Sequence, residues 1–292
     1  MKTHTHFLLI LIFNLGFIIS LKSSEIKWEY QEIIPGGRID AITYAGNGIL
    51  LAGTRNPSPG WIFTSYDFGL TWEKSSFLAS QETRFGITCL NSDEKGNCYA
   101  INESAEFFRS VDYGKTWVKL SRFSFGKNKD GFALSYGLCL TKQGTILVSD
   151  TDSDGGSIYR SIDHGNNFIK IASVSDKPLY RFTLLGNSII INGWKGCVYR
   201  SENDGENWEL WNNMDTTALY ATEYTGATTF VQASASGNIF EGNQGNKGKF
   251  VKLATLKGSA DDFVYVGFNT LIYTTYTDEK NVYISFDRGK PG

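Results

Sequence analysis

From residue 39 onward, short apolar runs alternate with short polar clusters, and the runs are rich in β-branched and aromatic side chains. Ile39 to Tyr44, Ile49 to Leu51 and Trp61 to Thr64 are three such runs in succession, and each predicts a β-strand. A polar turn of fixed design follows the third. It recurs as Ser65-Tyr66-Asp67-Phe68-Gly69-Leu70-Thr71-Trp72, Ser110-Val111-Asp112-Tyr113-Gly114-Lys115-Thr116-Trp117, Ser161-Ile162-Asp163-His164-Gly165-Asn166-Asn167-Phe168 and Ser201-Glu202-Asn203-Asp204-Gly205-Glu206-Asn207-Trp208. All four read S-x-[DN]-x-G-x-[TN]-[WF]. A fifth copy, Ser285-Phe286-Asp287-Arg288-Gly289, starts near the end of the sequence, and a degenerate one lies around Gly242 to Phe250.

Asp67, Asp112, Asp163 and Asn203 are 45, 51 and 40 residues apart in turn, the length of a four-stranded antiparallel sheet with its connections. Counting the degenerate copy, six units predict an all-β fold: a six-bladed β-propeller of four-stranded antiparallel blades. The turn has a physical mechanism. Its Asp accepts hydrogen bonds from turn N–H groups, its Gly supplies a positive φ, its Ser hydroxyl satisfies the same loop, and its aromatic anchors the next strand. In the last copy the aromatic position falls on Gly292, whereas Lys27-Trp28-Glu29-Tyr30 reads like the strand after the other turns, as in Thr71-Trp72-Glu73-Lys74. The N-terminal strand is therefore expected to complete the last blade and close the ring, which removes open sheet edges. A sequence that stops short is the rival reading.

Composition narrows the chemistry. There are 28 Lys and Arg against 30 Asp and Glu, a formal net charge of −2, which argues against a nucleic-acid partner. The histidines are His4, His6 and His164. With the first two in a segment expected to be removed, a multi-histidine zinc site is excluded, and any Ser-His-Asp triad would rest on His164. Cys89, Cys98, Cys139 and Cys197 contain no C-x-x-C pair, so neither a thioredoxin motif nor a zinc ribbon fits. Two disulfides, with Cys89 and Cys98 paired across the turn Asp93 to Gly96, and four buried free thiols are both open.

Lys2 precedes an apolar run from Phe7 to Ile19, and the small or polar Ser20, Ser23 and Ser24 follow. The segment resembles a secretory signal peptide cleaved after Ser20. Residues 1–20 are then a signal peptide and residues 21–292 a single exported domain, secreted or periplasmic, with no membrane insertion after signal removal. An uncleaved membrane anchor is the alternative.

The recurrent turn resembles the Asp-box, or BNR repeat, of sialidases and related β-propellers, including the photosystem II assembly-factor and sortilin-like families, over nearly all of residues 21–292. The resemblance implies Asp-box turns between the third and fourth strands of each blade, opposite the ligand face. Asp67, Asp112, Asp163 and His164 are structural on that view, and no catalytic residue is assigned. Sialidases hold the substrate carboxylate with three arginines, the first in an R-I-P motif that Arg38-Ile39-Asp40 resembles with Asp in place of Pro. Arg84 holds the matching place in the second unit, and Arg181 lies near it in the fourth. Together the three would converge on the central funnel and take a carboxylate; solvated strand-end residues are the plain alternative. The sialidase acid/base Asp has no counterpart, because the loop Thr54 to Gly60 carries no carboxylate. Tyr220 and Glu223, three residues apart on a predicted strand, face opposite sides.

Trp61 and Trp194 fall at predicted turns between second and third strands, and Phe123 and Phe125 in the longest inter-blade loop. Aromatics beside arginines suit protein or glycan recognition; burial beneath loops is the alternative. In Asp150-Thr151-Asp152-Ser153-Asp154-Gly155 the alternating carboxylates of Asp150, Asp152 and Asp154 could wrap Ca²⁺, although Ser161 stands where an EF-hand loop has Glu, and a plain acidic hairpin is the other reading. No other cofactor is implied. The sequence thus reads as an exported, non-catalytic propeller that binds a protein or glycan through its funnel face, with a divergent sialidase-like glycoside hydrolase as the alternative.

Overall fold

The structure is a computed structural model that describes residues 39–54, 60–76, 86–103, 105–122, 134–152, 155–175, 178–213, 217–225, 228–245, 249–256, 259–267, 270–276 and 282–285. All of these belong to the unit Gly36–Gly292. Among them, consecutive antiparallel strands form five four-stranded sheets and one three-stranded sheet. The first sheet is β1 (Ile39–Gly46), β2 (Ile49–Thr54), β3 (Ile62–Ser65) and β4 (Glu73–Lys74), and the second is β5 (Ile87–Ser92), β6 (Cys98–Asn102), β7 (Glu106–Ser110) and β8 (Val118–Arg122). The third comprises β9 (Leu134–Leu140), β10 (Ile146–Asp152), β11 (Gly155–Ser161) and β12 (Ile169–Ser175). In the fourth, β13 (Leu179–Leu185), β14 (Ser188–Gly193), β15 (Cys197–Ser201) and β16 (Glu209–Asn213) include a 3₁₀ turn, Trp194–Gly196, between β14 and β15. The fifth is β17 (Leu219–Tyr224), β18 (Thr229–Ser234), β19 (Asn238–Asn243) and β20 (Phe250–Thr255); the sixth is β21 (Ser259–Gly267), β22 (Thr270–Tyr276) and β23 (Val282–Ser285). One repeat is therefore one sheet. Lys27 to Tyr30, expected to add a strand to the sixth, lie outside the described residues.

The first strand of each sheet lies on the first strand of the next, from β1 on β5 through to β17 on β21. Apolar side chains fill the space between neighbouring sheets: Leu51 and Ile62 meet Ile87 and Phe108, Phe107 meets Leu138 and Ile146, Leu147 and Ile158 meet Leu179 and Ile191, and Trp211 meets Leu219 and Phe230. The second strands β6 and β14 are buried on both faces. Hence Ile189-Ile190-Ile191 is a continuous apolar run within the wholly buried Ser188–Gly193, where a half-exposed strand would alternate.

All four complete turns join the third strand to the fourth. The Ser Oγ donates to the Asp or Asn side-chain oxygen at 2.7 to 3.1 Å and accepts from the Gly N–H at 2.7 to 2.9 Å. Asp67 accepts from the Thr71 N–H at 2.8 Å and its hydroxyl at 2.6 Å, and Asp163 accepts from the Asn167 N–H at 2.9 Å and its amide at 2.7 Å. The residue before each Gly is also left-handed: Phe68, Tyr113, His164 and Asp204 have φ between 57° and 62°.

These hydrogen bonds, led by the Thr71 hydroxyl for Asp67 and the Asn167 N–H for Asp163, hold both carboxyls down at about 2, against an ordinary value of 3.8. A depressed carboxyl stabilises the fold above its ordinary range and loses that contribution as pH falls through its folded value, here between about pH 4 and 2. Asp163→Asn, which copies the natural Asn203, is expected to flatten this acid limb. A melting profile between pH 2 and 5 identical to that of the parent would contradict the assignment.

The cysteines resolve one alternative. All four are buried thiols, none of them in a disulfide. Cys89 stands opposite Ile101 while Cys98 stands opposite Ser92, so the two are three ladder positions apart and the cross-strand disulfide does not form. Burial pushes the Cys89 thiol up to about 11 and those of Cys98 and Cys139 up to about 12, which leaves them unreactive.

Candidate functional site

Each first strand carries one residue more than the second strand beside it, near its start. The extra residue is Asp40 in β1, Thr88 in β5, Tyr220 in β17 and Asp261 in β21, and it falls within Ser135-Tyr136 of β9 and Tyr180-Arg181 of β13. Such bulges break the alternation of a strand and re-aim its side chains. Since first strands run toward the S-x-[DN]-x-G turns, all six bulges lie at the opposite end of the sheets.

Between β1, β5, β9 and β13 opens a cavity of about 390 Å³. Asp40 and Ile42 line it from β1, Thr88 from β5, and Arg181 and Phe182 from β13. Ile42 is 62% exposed, and Arg181 is exposed as well. Acid, base and apolar surface thus share one wall. Tyr220, from the next first strand, packs edge-on against Tyr180 with ring centroids 5.4 Å apart.

Of the three arginines, the structure places Arg181 in this cavity; Arg38 and Arg84 lie outside the described residues, as do Phe123 and Phe125. Trp194 sits in the 3₁₀ turn between β14 and β15 and is 42% exposed, so it is not covered by a loop. Trp61 immediately precedes β3, half-buried, with the Lys74 ammonium over its ring. Asp150 is fully buried opposite Ser157 and Asp152 pairs with Gly155, while Asp154 lies outside the described residues. Among the described residues, no group of three or more His, Cys, Asp or Glu is placed to hold a metal, and no helix is long and apolar enough to cross a membrane.

Sequence reasoning missed Asp40 and Thr88. A bulge is invisible to a period of two; the available signal was a charged residue, Asp40, inside the apolar run from Ile39 to Tyr44.

No protein-family model matches the chain, and no curated protein matches it. Similar solved structures do exist. One of YCF48 bound to D1 peptide superposes with a TM-score of 0.59 at 12% identity, covering 81% of this chain and 74% of that one. YCF48 from Cyanidioschyzon merolae gives 0.57 at 10% identity, with 77% and 76% covered. Virginiamycin B lyase from Staphylococcus aureus gives 0.64 at 12% identity, with 84% and 83% covered. These neighbours are β-propellers, and at such identities the likeness is one of fold: the chain is all-β, with repeated four-stranded antiparallel sheets of the propeller kind.

Proposed function

We propose that the protein is an exported, six-bladed Asp-box propeller that binds a polypeptide through the cavity at the bulged ends of its first strands and performs no chemistry on it. In this reading residues 1–20 are a signal peptide, and the strand Lys27 to Tyr30 completes the sixth sheet and closes the ring. The wall of the cavity carries the proposal. A carboxylate, a guanidinium and exposed apolar side chains within one concave surface match the mixed chemistry of a peptide. Glycoside hydrolysis takes two carboxylates, and Asp40 is the one that lines the cavity among the described residues. A neighbour of the same fold, YCF48, is known with a D1 peptide bound, which supports a polypeptide as the partner class; a glycan is the other outcome.

Arrayed peptides and a panel of fluorogenic glycosides, sialosides included, test this on residues 21–292. Peptide binding is expected, and Arg181→Ala should weaken it about tenfold, the loss of one charge-assisted contact of about 1.4 kcal/mol. Turnover of a glycoside that disappears in Arg181→Ala would establish the glycosidase instead. Peptide binding indifferent to both Arg181→Ala and Asp40→Asn would remove the cavity from the account.

A further inference from the structure

In the later turns, the residue before the glycine reaches back toward the preceding sheet. Between the third and fourth sheets that residue is Asp204, whose carboxylate accepts from the Thr145 hydroxyl and from Arg160 Nη2 at 3.2 Å, with Glu206 3.7 Å from the same guanidinium. The arginine is neutralised there. One junction earlier the equivalent positions hold His164, Asn97 and Arg109. Arg109 Nη2 donates to Asn97 Oδ1 at 3.0 Å, its buried Nε has no acceptor, and no described carboxylate reaches it within ion-pair distance.

At the same junction lies a cavity of about 440 Å³, bounded by the β5–β6 turn, the β9–β10 turn and His164. The hydroxyl of Tyr99, the cross-strand partner of Arg109, stands 3.5 Å from His164 Nδ1. In the tautomer in which Nδ1 accepts from that hydroxyl, Nε2 is a donor left for a ligand. Lys95, Lys142 and Glu94 also line it; Lys142 Nζ donates to the Gly186 carbonyl at 3.1 Å, and neither ammonium has a carboxylate partner among the described residues. Asp93 also lines the cavity, but it is engaged by the Lys95 and Asn97 N–H groups and the Asn97 amide at 2.8, 3.0 and 2.6 Å. Glu94 is exposed.

We propose that this cavity, lined by His164 where the next junction has Asp204, binds a tetrahedral oxyanion, a phosphate or sulfate group. Donor side chains line it from three separate elements, the β5–β6 turn, the β9–β10 turn and the turn of His164, an arrangement that suits oxygens pointing in several directions better than a planar carboxylate. None of its residues belongs to the peptide-binding cavity, so the two proposals stand or fall separately.

Inorganic phosphate, sulfate and acetate, titrated into the whole protein by calorimetry and followed by thermal shift, test it against His164→Asp and Lys142→Ala. Phosphate or sulfate should bind saturably and raise the Tm, and acetate should not. His164 already holds the φ of 61° that Asp204 adopts at 57°, so His164→Asp is expected to raise the Tm without anion and to abolish the response by supplying the carboxylate itself. Lys142→Ala should weaken the anion about tenfold and leave the anion-free Tm unchanged; it carries the test if His164→Asp fails to fold. A phosphoserine peptide that binds more tightly than free phosphate would identify a phosphoprotein as the source, and equal affinity a free ion. Absence of saturable binding, equal binding of acetate, or binding that Lys142→Ala leaves intact would each overturn the proposal.

Discussion

Gly165→Ala is expected to lower stability by about 2–4 kcal/mol, the sum of a left-handed backbone penalty and an overpacked core. Gly144→Ala, at the same φ of +86°, should lose only about 1 kcal/mol because it carries the backbone penalty alone. A β-carbon on Gly165 would stand 2.3 Å from Phe107 Cε1, whereas one on Gly144 meets nothing within 4 Å. Phe107 cannot yield: it is fully buried, stacked on Tyr99 at 5.8 Å and held edge-on by Phe168 at 5.0 Å. Urea titrations of the two variants measure the difference directly. Equal losses would show that the contact with Phe107 contributes nothing.

Lys119→Met should lower stability by about 3 kcal/mol although its side chain is partly exposed. Its ammonium lies 2.9 Å from Oε1 of Glu106, whose side chain is 2% exposed, and Asn102 donates to Oε2 at 2.8 Å. Without the lysine, a buried carboxylate keeps one amide for company. Pairing Lys119→Met with Glu106→Gln removes the charge as well as its partner, and most of the stability should return. A double variant as unstable as Lys119→Met alone would mean that the lysine acts by packing.

The Ser, Asp, Gly and aromatic positions of the turns were legible because their chemistry is local: the hydrogen bonds that tie the Ser, the Asp and the Trp into the turn join residues at most four apart. The sheet per repeat followed from the spacing. Three features were hidden for physical reasons. The bulges at Asp40, Thr88 and Tyr220 defeat a period-two reading, since each inserts one residue where alternation assumes none. Cys89 and Cys98 flank a turn in the sequence, yet the ladder register separates them. Finally, the turn glycines do a second job that no local pattern encodes: a β-carbon on Gly114 would strike Leu51, and one on Gly205 would strike Leu147, each in the sheet before.

That last contact fixes a direction in time. Gly114, Gly165 and Gly205 each rest on side chains made earlier in the chain, and Trp117, Phe168 and Trp208 enter the same preceding clusters. A polypeptide emerging N-terminus first therefore presents the seat for every such turn before the turn itself is synthesised, and each sheet becomes whole when its successor's turn arrives. Growth in this order keeps partners close in sequence and spares the nascent chain long waits with bare edges. The first turn, Ser65 to Trp72, differs: among the described residues its glycine meets only Leu50 and Trp72 of its own sheet, so its seat is made together with the sheet it closes.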